Sequence, residues 1–140
     1  MAVTVKEILK YDDALRNLID NGTQMNSKIK FRFLNMRKQF EPIVENFQKM
    51  REEILQKYAE TREDGTMGIF APEKEKFDSD EAFDKAVAEF QSTVDKFNDE
   101  VNKILDDEAD IEISKFKADE IMNAGIPSDA LLILYDIIEE

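Results

Sequence analysis

Apolar residues in the middle of this chain recur with the spacing of helices that each bury one seam. From Ile29 they fall at Phe33, Met36, Phe40, Ile43, Phe47, Met50 and Ile54, in alternating steps of four and three. A second series, Phe83, Val87, Phe90, Val94, Phe97, Val101 and Ile104, repeats the alternation. A repeat averaging about 3.5 residues keeps one helix face turned toward a partner helix, the coiled-coil pattern. The two series predict long helices over 25–60 and 79–106. Pro42 lies inside the first and is expected to bend it, because it lacks an N–H for the helical ladder. Asp78 with Glu81, or Ser79, can cap the start of the second.

Laid antiparallel, the two stripes form seven layers. Phe33 faces Ile104, Met36 faces Val101, Phe40 faces Phe97 and Ile43 faces Val94. Phe47 then faces Phe90, Met50 faces Val87 and Ile54 faces Phe83. This register also sets Arg32 near Asp107 and Arg51 near Asp84. A slip of one heptad would keep the layering and strand one layer at an end. Each large buried side chain contributes ~1.5–3 kcal/mol, against ~0.2–1 kcal/mol for an exposed charge pair, so burial dominates.

Shorter elements flank this hairpin. Thr4-Val5-Lys6-Glu7 has the form of a capping box, and Ile8, Leu9, Leu15, Leu18 and Ile19 follow on one helical face. Asn21-Gly22 supplies a stop, so a first helix is expected over about 5–20. A short strand at 2–5 competes for its start. Ile111-Glu112-Ile113 alternates, which suggests a strand near 110–116 that could pair with residues 2–5. Ile126-Pro127-Ser128 followed by Ala130–Ile138 reads as a final helix. Phe31, Leu34 and Leu105 face away from the stripes and need cover, which the first helix and the C-terminal segment can supply.

The expected fold is therefore mainly α. It consists of a long antiparallel coiled-coil hairpin with a small base of two further helices and room for one short two-stranded β element. One domain over 1–140 is expected, with the hairpin at 25–106, its tip loop at 61–77, and a base formed by 1–24 and 107–140. The far end of the hairpin has little to cover it and is expected to protrude.

Composition changes this picture little. Hydrophobic residues make up 42% of the chain and charged residues 36%, with four Gly and three Pro, a balance suited to long solvated helices. No run of apolar residues is long enough for a membrane span, and no secretory signal pattern opens the chain, so a cytoplasmic protein is the expectation. The net charge is −13 and unevenly spread: residues 1–77 are nearly neutral, and the acidic excess falls in 78–140. Acidity argues against direct binding to nucleic acid, although Lys28, Lys30, Arg32, Arg37 and Lys38 form a basic patch.

Candidate chemistry is sparse. With no His and no Cys, the usual nucleophile–base pairs and most zinc sites are excluded. No Gly-rich phosphate-binding motif is present. The carboxylates Asp106, Asp107, Glu108, Asp110 and Glu112 cluster, and hard cations take oxygen ligands. Their spacing lacks the mid-loop Gly of a Ca²⁺ loop, so a solvated acidic turn is the simpler reading. Asp64-Gly65-Thr66 reads as a turn rather than as a ligand loop. The Met and Phe stripes read as core rather than as a ligand pocket. Met67, Ile69 and Phe70, in the tip loop, could form an apolar anchor for a partner. They could equally fold back on the hairpin or build a small β-hairpin.

Val3-Thr4-Val5, the helix ending Leu55-Gln56-Lys57-Tyr58-Ala59-Glu60, the following Asp64-Gly65, and Ile111-Glu112-Ile113 with Leu131–Ile138 carry a resemblance. In these features the chain resembles a family of small proteins encoded by phages of Gram-positive bacteria. The resemblance spans most of the chain and brings no activity or site residues. It implies a viral protein in the host cytoplasm, where small acidic proteins act by occluding host or defence proteins.

Function is thus expected to be non-enzymatic protein binding, without cofactor or metal. The candidate anchor is Met67, Ile69 and Phe70, and the candidate acidic surface is Asp106, Asp107, Glu108, Asp110 and Glu112. Two alternatives stand beside it: an acidic mimic of DNA, and a structural protein that oligomerises through its helices, for which a homodimer is the simplest form.

Overall fold

A computed structural model describes residues 3–21, 26–122 and 125–139, excluding the side chains of Asn21, Met122 and Ser128. The protein is mainly α. In chain order the described elements are β1 (Val3–Thr4), α1 (Val5–Asn21), α2 (Ser27–Tyr58), β2 (Glu60–Thr61), β3 (Met67–Gly68), α3 (Asp80–Leu105), β4 (Glu108–Ala109), β5 (Phe116–Lys117), α4 (Ala118–Met122), α5 (Ser128–Leu134) and β6 (Ile138–Glu139). Single 3₁₀ turns occupy Lys74–Lys76 and Tyr135–Ile137. The expected helix stop at Gly22 and strand start at Ala2 lie outside the described residues.

Local chemistry explains the helix starts. The Thr4 hydroxyl accepts from the Glu7 N–H at 3.2 Å and the Thr4 backbone N–H donates to Glu7 Oε1 at 3.4 Å, the reciprocal pattern of a capping box. Ser79 Oγ accepts the Ala82 N–H at 3.1 Å, so Ser79 caps α3. Pro42 stands inside α2 without ending it, with its ring exposed.

The chain divides into two compact units, residues 1–46 with 106–140, and residues 47–105; α2 contributes to both. The core of the first unit joins Ile8, Tyr11, Leu15 and Leu18 of α1 to Ile29, Phe33, Met36 and Phe40 of α2. Phe116, Ile121, Leu134 and Ile137 from the C-terminal elements complete it. Phe33 meets Phe116 edge to face, with centroids 5.1 Å apart. Arg37 Nε donates to Asp12 at 3.0 Å, and Arg32 pairs with Glu120 while lying 4.5 Å over the Phe116 ring. The expected pairing of Arg32 with Asp107 is thus replaced.

β1 pairs antiparallel with β4, in the register Val3 to Ala109 and Thr4 to Glu108, and the Val5 N–H extends the ladder to the Asp107 carbonyl at 2.9 Å. This corrects the expected strand over 110–116. The Ile111 N–H bonds back to the Ala109 carbonyl at 3.0 Å and turns the chain off the ladder, so Ile111 and Ile113 pack on the core without being paired. The expected final helix is also shorter: α5 stops at Leu134, and Ile138–Glu139 pair in parallel with Phe116–Lys117.

In the second unit, Ile54, Phe97 and Val101 form the core, with Phe47, Leu55, Tyr58, Ile69, Ile104 and Leu105 partly buried around them. Ile54 therefore packs with Phe97 rather than with Phe83, and Phe47 joins Ile104 rather than Phe90. The stripe of α3 is displaced by two heptads from the expected register. Phe83 instead meets Phe77 edge to face at 5.8 Å, and Arg51 lies 5.4 Å over Phe97 rather than beside Asp84. Heptad stripes are self-similar, so a slip of whole heptads keeps apolar layers in contact. The first half of the α2 stripe is taken up by α1 and the C-terminal elements, which leaves the second half for α3.

Candidate interaction surfaces

The loop after α2 is a small β-hairpin. Glu60 pairs with Gly68 and Thr61 with Met67. The turn between them is held by three bonds of 2.9 Å: Arg62 N–H to the Thr66 carbonyl, Gly65 N–H to the Arg62 carbonyl, and Thr66 N–H to Asp64 Oδ1. Gly65 has φ +85°, a conformation that L side chains rarely adopt, and this makes Asp64-Gly65 a turn in the sense its sequence suggests. The bonds from Thr66 draw the Asp64 carboxyl below its usual range.

This hairpin separates the three candidate anchor residues. Met67 is 42% exposed. Ile69 turns inward onto the core of the second unit. Phe70 is half-buried, with its ring under the Arg62 guanidinium at 3.7 Å and against Gly68. Folding back and forming a β-hairpin thus occur together, and Met67 alone stands in solvent.

A polar cluster lies on the same unit. Lys57 Nζ donates to Glu100 Oε1 at 2.9 Å. The Tyr58 hydroxyl and Lys57 hold the Glu100 carboxyl below the usual carboxylate range, while Glu100 raises the pKa of both partners.

On the first unit, Asp106, Asp107, Glu108, Asp110 and Glu112 are all exposed, and among the described residues none forms an ion pair. Glu112 lines a cleft of about 250 Å³ with Glu7, Tyr11, Lys115 and Asp136. Tyr11 is buried, and its hydroxyl donates to Glu7 Oε2 at 3.5 Å. Burial, then the charges of Glu7 and Asp136, push its pKa up to about 12. Among the described residues, no group of three or more acidic side chains is placed to hold a metal ion, and no helix is long and apolar enough to cross a membrane.

The most exposed large apolar side chains are elsewhere on the first unit: Leu132 at 78%, Tyr135 at 69%, Phe31 at 64% and Leu34 at 45%. Leu132 and Tyr135 are three apart on α5 and its 3₁₀ extension, as are Phe31 and Leu34 on α2, so each pair shares a face. The expectation that Phe31 and Leu34 would be covered by the first helix and the C-terminal segment is corrected. Those elements cover the Phe33 and Phe40 face of α2 instead. Leu132 and Tyr135 were legible only as members of an apolar run. The available signal was that Leu131, Leu132, Leu134 and Tyr135 point around a short helix, which cannot bury every side.

No family model, curated protein or solved structure matches the chain.

Proposed function

We propose that this protein is a non-enzymatic protein-binding module. The observation that carries the reading is the exposure of Leu132, Tyr135, Phe31 and Leu34 on a unit that otherwise has a well-packed apolar core. Water-facing aromatic and Leu side chains of this size lower the free energy of association when a partner covers them. Met67, held on a bonded β-turn, is a second and smaller anchor. The sequence offers no His or Cys for nucleophile or base chemistry. Extended by the phage resemblance, the reading becomes a viral modulator of a host or defence protein. The test is capture from host lysate by the intact protein. Wild type is expected to retain a protein that Leu132→Ser/Tyr135→Ser loses, with Met67→Ser weakening retention less. Equal retention by all three would remove these surfaces from the reading.

The exposed carboxylates from Asp106 to Glu112 favour one second reading, occupation of a nucleic-acid groove on an enzyme. That mode predicts binding that collapses with added salt and survives loss of Leu132 and Tyr135.

A further inference from the structure

The two exposed apolar faces of the first unit carry opposite charge. On α2, Phe31 and Leu34 are flanked by Lys28, Lys30 and Lys38, and residues 26–40 contain five basic and no acidic side chains. Arg32 and Arg37 are committed to Glu120 and Asp12, whereas Lys28, Lys30 and Lys38 have no acidic partner among the described residues. Leu34 also walls an open groove of about 380 Å³ lined by Arg37, Lys38 and Val44 and by the carboxylates of Asp12, Glu41 and Glu45, so the basic character belongs to the Phe31 end of this face. At the other face, Leu132 and Tyr135 are flanked by Asp129, Asp136 and Glu139. Residues 118–140 contain no Lys or Arg at all.

We propose that these faces bind each other between two copies of the chain, the Phe31–Leu34 face of one copy receiving the Leu132–Tyr135 face of the other. This rests on the protein-binding reading and names the partner. Under a twofold axis each copy would give one basic and one acidic face, so that both contacts form at once and the assembly closes as a dimer. Lys28 and Lys30 beside Phe31, with Lys38 one turn beyond Leu34, match the carboxylates around Leu132 and Tyr135. A generic acidic partner would satisfy the α2 face alone. A second copy covers both faces, and the match of charge sign fixes their orientation.

Sedimentation of the full-length protein tests this directly. Wild type is expected to reach a concentration-dependent dimer below about 100 µM. Leu132→Ser/Tyr135→Ser is expected to raise the dimer dissociation constant by about a hundredfold. The deciding pair is charge reversal, with folding of each variant checked by circular dichroism. Lys28→Glu/Lys38→Glu and Asp129→Lys/Asp136→Lys should each be monomeric alone. Mixed in equal amounts they should form a dimer of one copy each, because both contacts regain opposite charge. A wild-type monomer at every concentration overturns the proposal, as does a mixture that stays monomeric, and growth beyond the dimer overturns the closed arrangement. If wild type is monomeric yet lysate capture still depends on Leu132 and Tyr135, self-association falls and the binding reading stands. If capture is also insensitive, both fall.

Discussion

At the residue scale, the strongest commitments are single side chains whose surroundings leave no alternative. Phe33 and Phe40 are fully buried, and truncating either to Ala is expected to cost ~3–5 kcal/mol, read as a lower urea midpoint with unchanged slope. Tyr11 is buried beside Glu7 and Asp136, and its pKa of about 12 lies above the ordinary value of 10.0. The folded state therefore holds a proton that the unfolded state releases. The corresponding stability is complete below pH 10 and is lost as pH rises from 10 to 12. Tyr11→Phe should flatten that alkaline loss in denaturation midpoints followed across pH; an identical decline in both proteins would dismiss Tyr11 as its source. Glu100 works in the opposite direction. Its lowered pKa supplies stability above the ordinary carboxylate range that disappears as pH falls through the folded value.

At the element scale, caps and turns were readable because their chemistry is local. Thr4 with Glu7, Ser79, and Asp64-Gly65 each act within a few residues of themselves. Ser79→Ala is expected to cost ~1 kcal/mol and Gly65→Ala a similar ~1 kcal/mol, the second through its left-handed backbone rather than through crowding, since nothing lies within 4 Å of the added carbon. Register is a different kind of property. A double-mutant cycle on Ile54 and Phe97 is expected to show coupling of ~0.5–3 kcal/mol, while Ile54 and Phe83 should be additive within ~0.5 kcal/mol. The reverse result would restore the seven-layer pairing. The helices themselves were legible to within about two residues at most ends, because a 3.5-residue period can be satisfied only by a helix. The strands were legible only in part: a partner for residues 2–5 after α3 and a hairpin at the tip were among the expectations, but two-residue pairings leave no period to fix their bounds, and the parallel pair at Phe116 was not foreseen.

At the scale of the whole molecule, charge and exposed apolar area act together. The net charge of −13 opposes association in general, yet the basic side chains of residues 26–40 offset it locally. Self-association driven by that contrast should weaken as salt rises from about 0.05 M to 0.5 M, where screening shortens to a few ångströms. Association driven by Leu132 and Tyr135 alone would hold or strengthen under the same change, so a salt series in the ultracentrifuge separates the two contributions. The candidate sites were partly legible in the sequence at this scale. Met67 was named with its neighbours, but Ile69 and Phe70 became part of the fold. Phe31 and Leu34 were recognised as needing cover, and the outward aspect of Leu132 and Tyr135 was not.

What this sequence determines by itself is everything encoded over one or two turns: where helices begin, which face of each is apolar, and where a Gly must reverse the chain. A repeating stripe cannot specify its own partner, because each heptad presents the same surface as the next and competing pairings differ only at their ends. Tertiary structure decided that contest. Packing of α1, Phe116, Leu134 and Ile137 against Phe33 and Phe40 claimed half of the α2 stripe, and α3 took the half that remained.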